Sequence, residues 1–354
     1  MEIDQKIVEY ACLGGAILGG GGGGSCEEGK RMGLLAVQKG RPTLVDINSL
    51  PHDATLLTVS AVGAPAAEEK FSKPIDFVRA VEIIKANGVE ISGFISCENG
   101  GSATLNGWYQ SAILNIPVVD APCNGRAHPL GIMGSMGLHK IGDYVSKQAA
   151  VGGNPENGKY LEMFVSSSLT TASKLVRKAA VMAGGMVAVA RNPVCAEYVR
   201  ENGAVGGVRQ AIELGKTIFS ARSKDDLFDG IHSCIGGEKI TEGIIEEKKL
   251  QTKDGLDIGI LTAFSENQKY EMAFCNEFMC LEKGGKRIAT FPDLITAVNL
   301  KTLQPLTTAE IKQGDQIAIL FAPRRNLKLG SGMKDPALFR NIEIIIGKEM
   351  IKYM

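Results

Sequence analysis

Four short stretches of the chain carry residue types and spacings that do chemistry. The first is LGGGGGGS at 18–25, six glycines in a row behind an apolar helical pattern. Each glycine gives up more backbone entropy on folding than any other residue, so the run must be repaid by something. It is too short and too pure in glycine for an ordinary linker. It has no strand before it, as a dinucleotide fingerprint needs, and no Lys-Ser/Thr ending as in a P-loop. The reading that fits is a loop whose bare N–H groups face a ligand or an oxyanion, with Gly20, Gly21, Gly22, Gly23 and Ser25 as binding positions. Tight packing or a mobile lid is the alternative. On the binding reading, Gly21→Val abolishes binding and spares the fold.

The second stretch, SCENGGSATLNGW at 96–108, lies between a strand pattern and a helix pattern. Ligands of open α/β sheets gather at the carboxyl ends of strands. Glu98 is therefore placed to activate water, and Asn99 and Gly100 to bind substrate. Otherwise Glu98 is a solvated turn residue and Ser102 a helix cap. The third stretch, PVVDAPCNGRAHPLGIMGSMGLH at 117–139, gathers Asp120, Cys123, Arg126 and His128 within nine positions. Cys with His makes a nucleophile–base pair or two ligands of a metal, and Arg126 can hold a carboxylate or an anionic intermediate. Here Cys123 is the candidate nucleophile, or a Glu98-activated water replaces it, with His128 the base and Asp120 a further catalytic candidate. The bland alternative is an Asp120–Arg126 ion pair bracing the loop over a buried Cys123. The fourth stretch, FCNEFM at 274–279, sets Asn276 and Glu277 in an apolar strand. Successive strand residues face opposite ways, so only one of the two is expected to reach a given pocket. Asp293 in FPDLI reads equally as a turn cap.

Bulk properties narrow the class. The formal net charge is +0 over 354 residues, with 22% charged and 44% hydrophobic residues, and the mean hydropathy is +0.04. A neutral chain argues against nucleic acid or an anionic membrane as partner. No apolar run reaches membrane-spanning length, and the acidic start MEIDQK is no signal peptide. Eight scattered cysteines without a CxxC are expected to be reduced, in a cytoplasmic protein. The four histidines, at 52, 128, 139 and 232, show no zinc spacing. No cofactor is expected, although a divalent ion on Asp120, Cys123 and His128 stays open.

The elements that must position these residues follow from periodicity. Residues 4–18 read as a helix capped by Asp4, and SKPIDFVRAVEIIKANG as another, ended by Gly88. PTLVDINSL, ATLLTVSAVGAP, VEISGFIS and IPVVDAPC read as strands between helices, which predicts an α/β layer with a mainly parallel sheet. Residues 166–220 read as a mainly helical connector that could belong to either side. From 221 short alternating strands separated by TKDG and EKGGKR predict hairpins and a mostly-β domain, a barrel or a sandwich. The expected division is 1–165, 166–220 and 221–354.

LGGGGGGS, ENGGSA, PVVDAPCNGRAHP, CNEFM and FPDLITAVNLKTLQPLTTAEIKQGDQIAIL occur in that order. The set resembles the S-methyl thiohydantoin desulfurase family, over residues 8–323. That resemblance implies an α/β domain followed by a β-rich one, and hydrolytic loss of a sulfur substituent from a five-membered ring. The family pattern Asp-Ala-Asp-Gly-x-Gly-Arg-Ala-Phe-Pro-Glu stands here as DAPCNGRAHPL. Two carboxylates are replaced by Pro122 and Leu130, and His128 replaces the Phe. The expectation is a hydrolase of a small hydantoin-like ring, self-associating. A non-catalytic ligand-binding subunit and a metal-dependent cyclic-amide hydrolase are the rivals.

Overall fold

A computed structural model describes all 354 residues. The first 220 residues alternate helices and strands: α1 (Gln5–Gly19), α2 (Cys26–Lys39), β1 (Leu44–Val45), β2 (Thr55–Gly63), α3 (Pro74–Ala86), β3 (Gly93–Ser96), α4 (Trp108–Leu114), β4 (Val118–Val119), β5 (Ser146–Gly152), β6 (Leu161–Ser167), α5 (Leu169–Met182), β7 (Met186–Cys195), α6 (Ala196–Asn202) and α7 (Gly207–Ser220). Asp4 caps α1 by accepting the Ile7 N–H at 2.8 Å. The seven strands form one mixed sheet in the order β1-β4-β3-β2-β7-β5-β6. The first four run parallel, and β7, β5 and β6 are added antiparallel. Five of the seven strands therefore point the same way.

Alternation along the strands builds a three-layer domain. Ala149 and Val151 of β5 pack with Val81 and Ile84 of α3. Ala150, facing the other way, packs with Val176 and Ala180 of α5. Within the segment 166–220, β7 lies between β2 and β5 in this sheet, while α7 also packs on the second sheet.

The rest of the chain contains α8 (Lys224–Ile235), β8 (Glu238–Lys253), β9 (Leu256–Ser265), β10 (Gln268–Cys275), β11 (Glu277–Lys283), β12 (Lys286–Thr290), β13 (Leu294–Asn299), β14 (Pro305–Leu306), β15 (Gln316–Ala322) and α9 (Arg340–Ile346). The eight strands form one antiparallel sheet, β12-β11-β10-β9-β8-β15-β13-β14. Phe278 of β11 and Ile295 of β13 share one apolar cluster although their strands lie far apart in that order, so the sheet curls around its core. The turns of TKDG and EKGGKR hold paired positive-φ residues, Asp254–Gly255 and Gly284–Gly285, as tight hairpins require. On the outer face, Leu294, Ala318 and Leu320 pack under Ile17 and Leu18 of α1 and Leu214 of α7. Helix α1 thus serves both domains. No helix is long and apolar enough to cross a membrane.

Helices α1 and α7 meet backbone to backbone. A Cβ on Gly14 would stand 1.8 Å from the Ala211 carbonyl oxygen, and one on Gly215 1.7 Å from that of Tyr10. The obstacles are main chain and cannot rotate away. Gly14→Ala is expected to lower the unfolding free energy by about 1–3 kcal/mol, the usual cost of overpacking, read as a fall in the denaturant midpoint at unchanged slope.

Candidate active site

All four stretches meet at one cavity of about 250 Å³ between the domains, lined by Gly21–Gly24, Cys97, Glu98, His128, Arg191 and Glu277 among others. The glycine run supplies one wall. Its carbonyls are turned into the protein: that of Gly20 accepts the Phe278 N–H at 2.9 Å, that of Gly21 the Thr308 N–H at 2.8 Å, and that of Gly23 the N–H groups of Ser102 and Ala103. The N–H groups of Gly21, Gly23 and Gly24 have no acceptor in the protein, and all three residues line the cavity. Such a row of free amides attracts negative charge. The run is also tightly packed. A Cβ on Gly22 would stand 2.2 Å from Glu277 Oε1, and one on Gly21, where φ is +90°, 2.9 Å from the Phe278 ring and from Thr308. Gly21→Val therefore disturbs the seam between the domains and does not spare the fold.

The reactive cluster sits at the end of β3. Cys97 Sγ lies 3.6 Å from His128 Nε2 and accepts an N–H from Arg191 Nη2 at 3.0 Å. On the other side of the ring, Glu98 Oε2 lies 3.0 Å from His128 Nδ1. The same oxygen accepts the His128 backbone N–H at 3.1 Å. Nδ1 itself has no well-angled acceptor, so its contact with Glu98 is an ion pair and the aligned hydrogen bond is the backbone one. Gly134 underlies the pair: a Cβ there would meet His128 Nε2 at 2.3 Å and Cys97 Sγ at 2.5 Å.

The electrostatics of the cluster are mutual. The adjacent Cys123 thiol contributes most to holding the Cys97 thiol well below the ordinary thiol range, and Arg191 and His128 add to it against the cost of burial. Burial opposes a charged His128, yet the charges of Glu98 and Cys97 push it up to about 9. Burial raises Glu98 to about 7, with His128 opposing. Burial and the charge of Glu98 raise Glu277 to about 8. These shifts favour a thiolate beside an imidazolium, with Glu277 keeping its proton and Glu98 raised toward neutral pH. Ser60 Oγ, Arg191 Nε and Glu277 Oε2 are buried without a partner, and all three residues line the cavity. Buried polar atoms of this kind are ready to meet a ligand.

Other residues expected in the site lie elsewhere. Cys123 is buried behind Cys97, with its sulfur 3.3 Å from Thr58 Oγ1, and does not line the cavity. Asp120 accepts the N–H groups of Val208 and Arg209 at 2.9 and 3.2 Å, so it caps α7 and pairs with Arg209, not Arg126. The trio Asp120, Cys123 and His128 is therefore not a ligand set. Arg126 is buried behind the glycine run. It donates to the carbonyls of Pro292 and Asp293 and lies 4.3 Å over the Phe291 ring. Its work is to tie the domains together, and Gly20 packs against it. Asn99 donates to the carbonyls of Gly125 and Gly207, and Gly100 packs on Gly23. Ser25 lines the cavity and caps α2. Asn276 and Glu277 both line the cavity, against strand alternation, because Asn276 adopts φ +60° between β10 and β11 and breaks the alternation. Asp293 pairs with Arg324.

Cys97 and Arg191 were missed by sequence reasoning. The available signals were a cysteine immediately before Glu98 at a strand end, and an arginine inside the apolar run MVAVARN. Cys97, Glu98 and His128 each offer a ligand atom within 4.8 Å of one another, a donor set that suits zinc. Two features set this geometry apart from a single-ion site. Arg191 already occupies the sulfur, and Cys97 and Glu98 sit on opposite nitrogens of the imidazole.

Because the charge of Glu98 is what holds His128 up, Glu98→Gln should lower the His128 pKa from about 9 by about one unit or more, equivalent to ~1.4 kcal/mol per unit. A pH titration of the imidazole carbon-bound protons by NMR reads this, and an unmoved titration would contradict it.

Residues 7–157 match the description "S-Me-THD-like, N-terminal domain" and residues 167–329 "S-Me-THD-like, C-terminal domain". No curated protein matches the chain. A crystal structure of a protein from Chromobacterium violaceum is similar in fold, with a TM-score of 0.74 and 17% identity over 97% of this chain and 96% of that one. The two domain matches span most of the chain, which thus belongs to the S-Me-THD-like family, the S-methyl thiohydantoin desulfurase-like proteins.

Proposed function

We propose that the protein is a thiol-dependent hydrolase of a hydantoin- or thiohydantoin-like five-membered ring. One observation carries the proposal: Cys97, His128 and Glu98 form a nucleophile, a base and a carboxylate partner in sequence around one imidazole, inside a cavity of about 250 Å³. The volume suits a small ring, and membership of the S-Me-THD-like family supports that substrate class.

With an S-methyl thiohydantoin, the Cys97 thiolate adds to the ring carbon that bears sulfur. The C–S bond to the methylthio group breaks, and methanethiol leaves with the proton of His128. The ring is then held on Cys97. Water gives a proton to His128 and its oxygen to the ring carbon, and Cys97 leaves as thiolate. Negative charge on the ring during each addition falls to the free amides of the glycine run and to protonated Glu277. Arg191 stabilises the thiolate before and after. His128 is the residue that this chain has in place of the family Phe, so the imidazole step is particular to it. Pro122 and Leu130, which replace the two family carboxylates, do not line the cavity, so their loss leaves this scheme untouched.

A turnover assay on hydantoin, thiohydantoin and S-methyl thiohydantoin, following ring absorbance and thiol release, tests the reading. Cys97→Ser should lower kcat by about 10³-fold or more, and full activity in that variant would refute it. The kcat/KM profile should fall on the alkaline side between about pH 8 and 9, as Glu277 and then His128 lose their protons. On the acid side it should fall as Cys97 gains one, below the ordinary thiol range. Cys123→Ala removes the contact that most stabilises the thiolate, so its acid limb should move up. Ligand binding without turnover would favour a binding subunit. Turnover that follows stoichiometric zinc and is lost on chelation would favour a metal-dependent enzyme.

A further inference from the structure

The scheme above uses one thiol, and a second lies behind it. The Cys123 N–H donates to the Ser96 carbonyl at 2.9 Å and the Asn124 N–H to that of Cys97 at 3.1 Å, so the two segments run side by side. Cys123 is free and buried, with its sulfur 3.3 Å from Thr58 Oγ1 and next to the Cys97 thiol. Cys97 lines the cavity, where a molecule as small as a peroxide can reach it. A solvent-reached, charge-stabilised thiolate beside a second, resolving thiol is the arrangement by which proteins stop cysteine oxidation at a reversible stage. Arg191, on the Cys97 sulfur, favours the thiolate that peroxide attacks.

We propose that Cys97 and Cys123 form a reversible disulfide when the protein meets hydrogen peroxide, Cys97 being the thiol oxidised and Cys123 the thiol that resolves it. The Cys97 thiolate attacks one peroxide oxygen, the O–O bond breaks, and hydroxide leaves, which makes a sulfenic acid. The Cys123 sulfur then attacks that sulfur. The S–S bond forms, the S–O bond breaks, and the hydroxyl departs as water with the Cys123 proton. Peroxide is reduced to two waters and the two thiols are oxidised together. A dithiol reverses the step. The disulfide would take the nucleophile out of use while sparing it from the irreversible sulfinic stage.

The test uses the full chain treated with hydrogen peroxide, alkylated and digested without reduction. The expected product is a Cys97–Cys123 crosslinked peptide two hydrogens lighter than its parts, lost again on dithiothreitol. In Cys123→Ala and in Cys123→Ser, Cys97 should instead gain two oxygens, which dithiothreitol does not remove. If the wild-type chain itself accumulates sulfinic acid at Cys97 with Cys123 still alkylated, or if Cys97 stays unoxidised while the exposed Cys195 and Cys234 react, the proposal is overturned. The wild-type digest decides the matter even where a variant folds poorly. The inference shares Cys97 with the hydrolase reading, but its mass readout needs no turnover, so either can fail without the other.

Discussion

Residues 20–24 leave no room for a Cβ, and the architecture of the site depends on that. Positive φ at Gly20, Gly21, Gly23 and Gly24 turns the carbonyls of Gly20, Gly21 and Gly23 into the protein, where each meets an N–H donor. Those donors come from both domains: Ser102 and Ala103 on one side, Phe278 and Thr308 on the other. The same short stretch therefore fastens the antiparallel sheet to the α/β domain and leaves the amides of Gly21, Gly23 and Gly24 unpaired at residues that line the cavity. The entropic cost of so many glycines is offset by contacts that no other residue type could make at those distances.

That seam brings Glu277, from the second domain, across from Cys97, Glu98 and His128 of the first. Burying so many ionisable groups together is expensive unless they neutralise one another. Here the thiolate has Arg191 and His128, the imidazolium has Glu98 and Cys97, and Glu277 meets burial by keeping its proton. The arrangement favours a charged nucleophile and a charged proton donor beside a carboxylic acid that keeps its proton. Strongly displaced pKa values in one cleft are a mark of a functional site.

The sequence was legible where local physics decides. Asp4 announced the start of α1, Gly88 the end of α3, and the turns at Asp254–Gly255 and Gly284–Gly285 their hairpins. Helix α8 and strands β5 and β6 were missed: α8 lies in a stretch dominated by strand patterns, and β5 and β6 are antiparallel additions that only tertiary pairing defines. In the site, Glu98, His128, Glu277 and the glycine run were visible as chemistry-bearing types in odd surroundings. The choice of Cys123 over Cys97 could not be corrected from sequence. Both end a strand beside polar residues, and only the three-dimensional register puts Cys97 in front of Cys123. Asp120 and Arg126 mislead for a related reason, since capping a helix and bridging two domains demand the same residue types as binding an anion.

The central claim is that Cys97 is an ion-paired thiolate open to the cavity. The rate of alkylation by iodoacetamide, measured across pH and assigned to each cysteine by mass spectrometry, tests it most directly. The account predicts that Cys97 reacts well ahead of Cys123, and that its rate levels off at a pH well below the ordinary thiol pKa. A Cys97 that reacts only as pH passes the ordinary thiol value, or a Cys123 that reacts first, would contradict it.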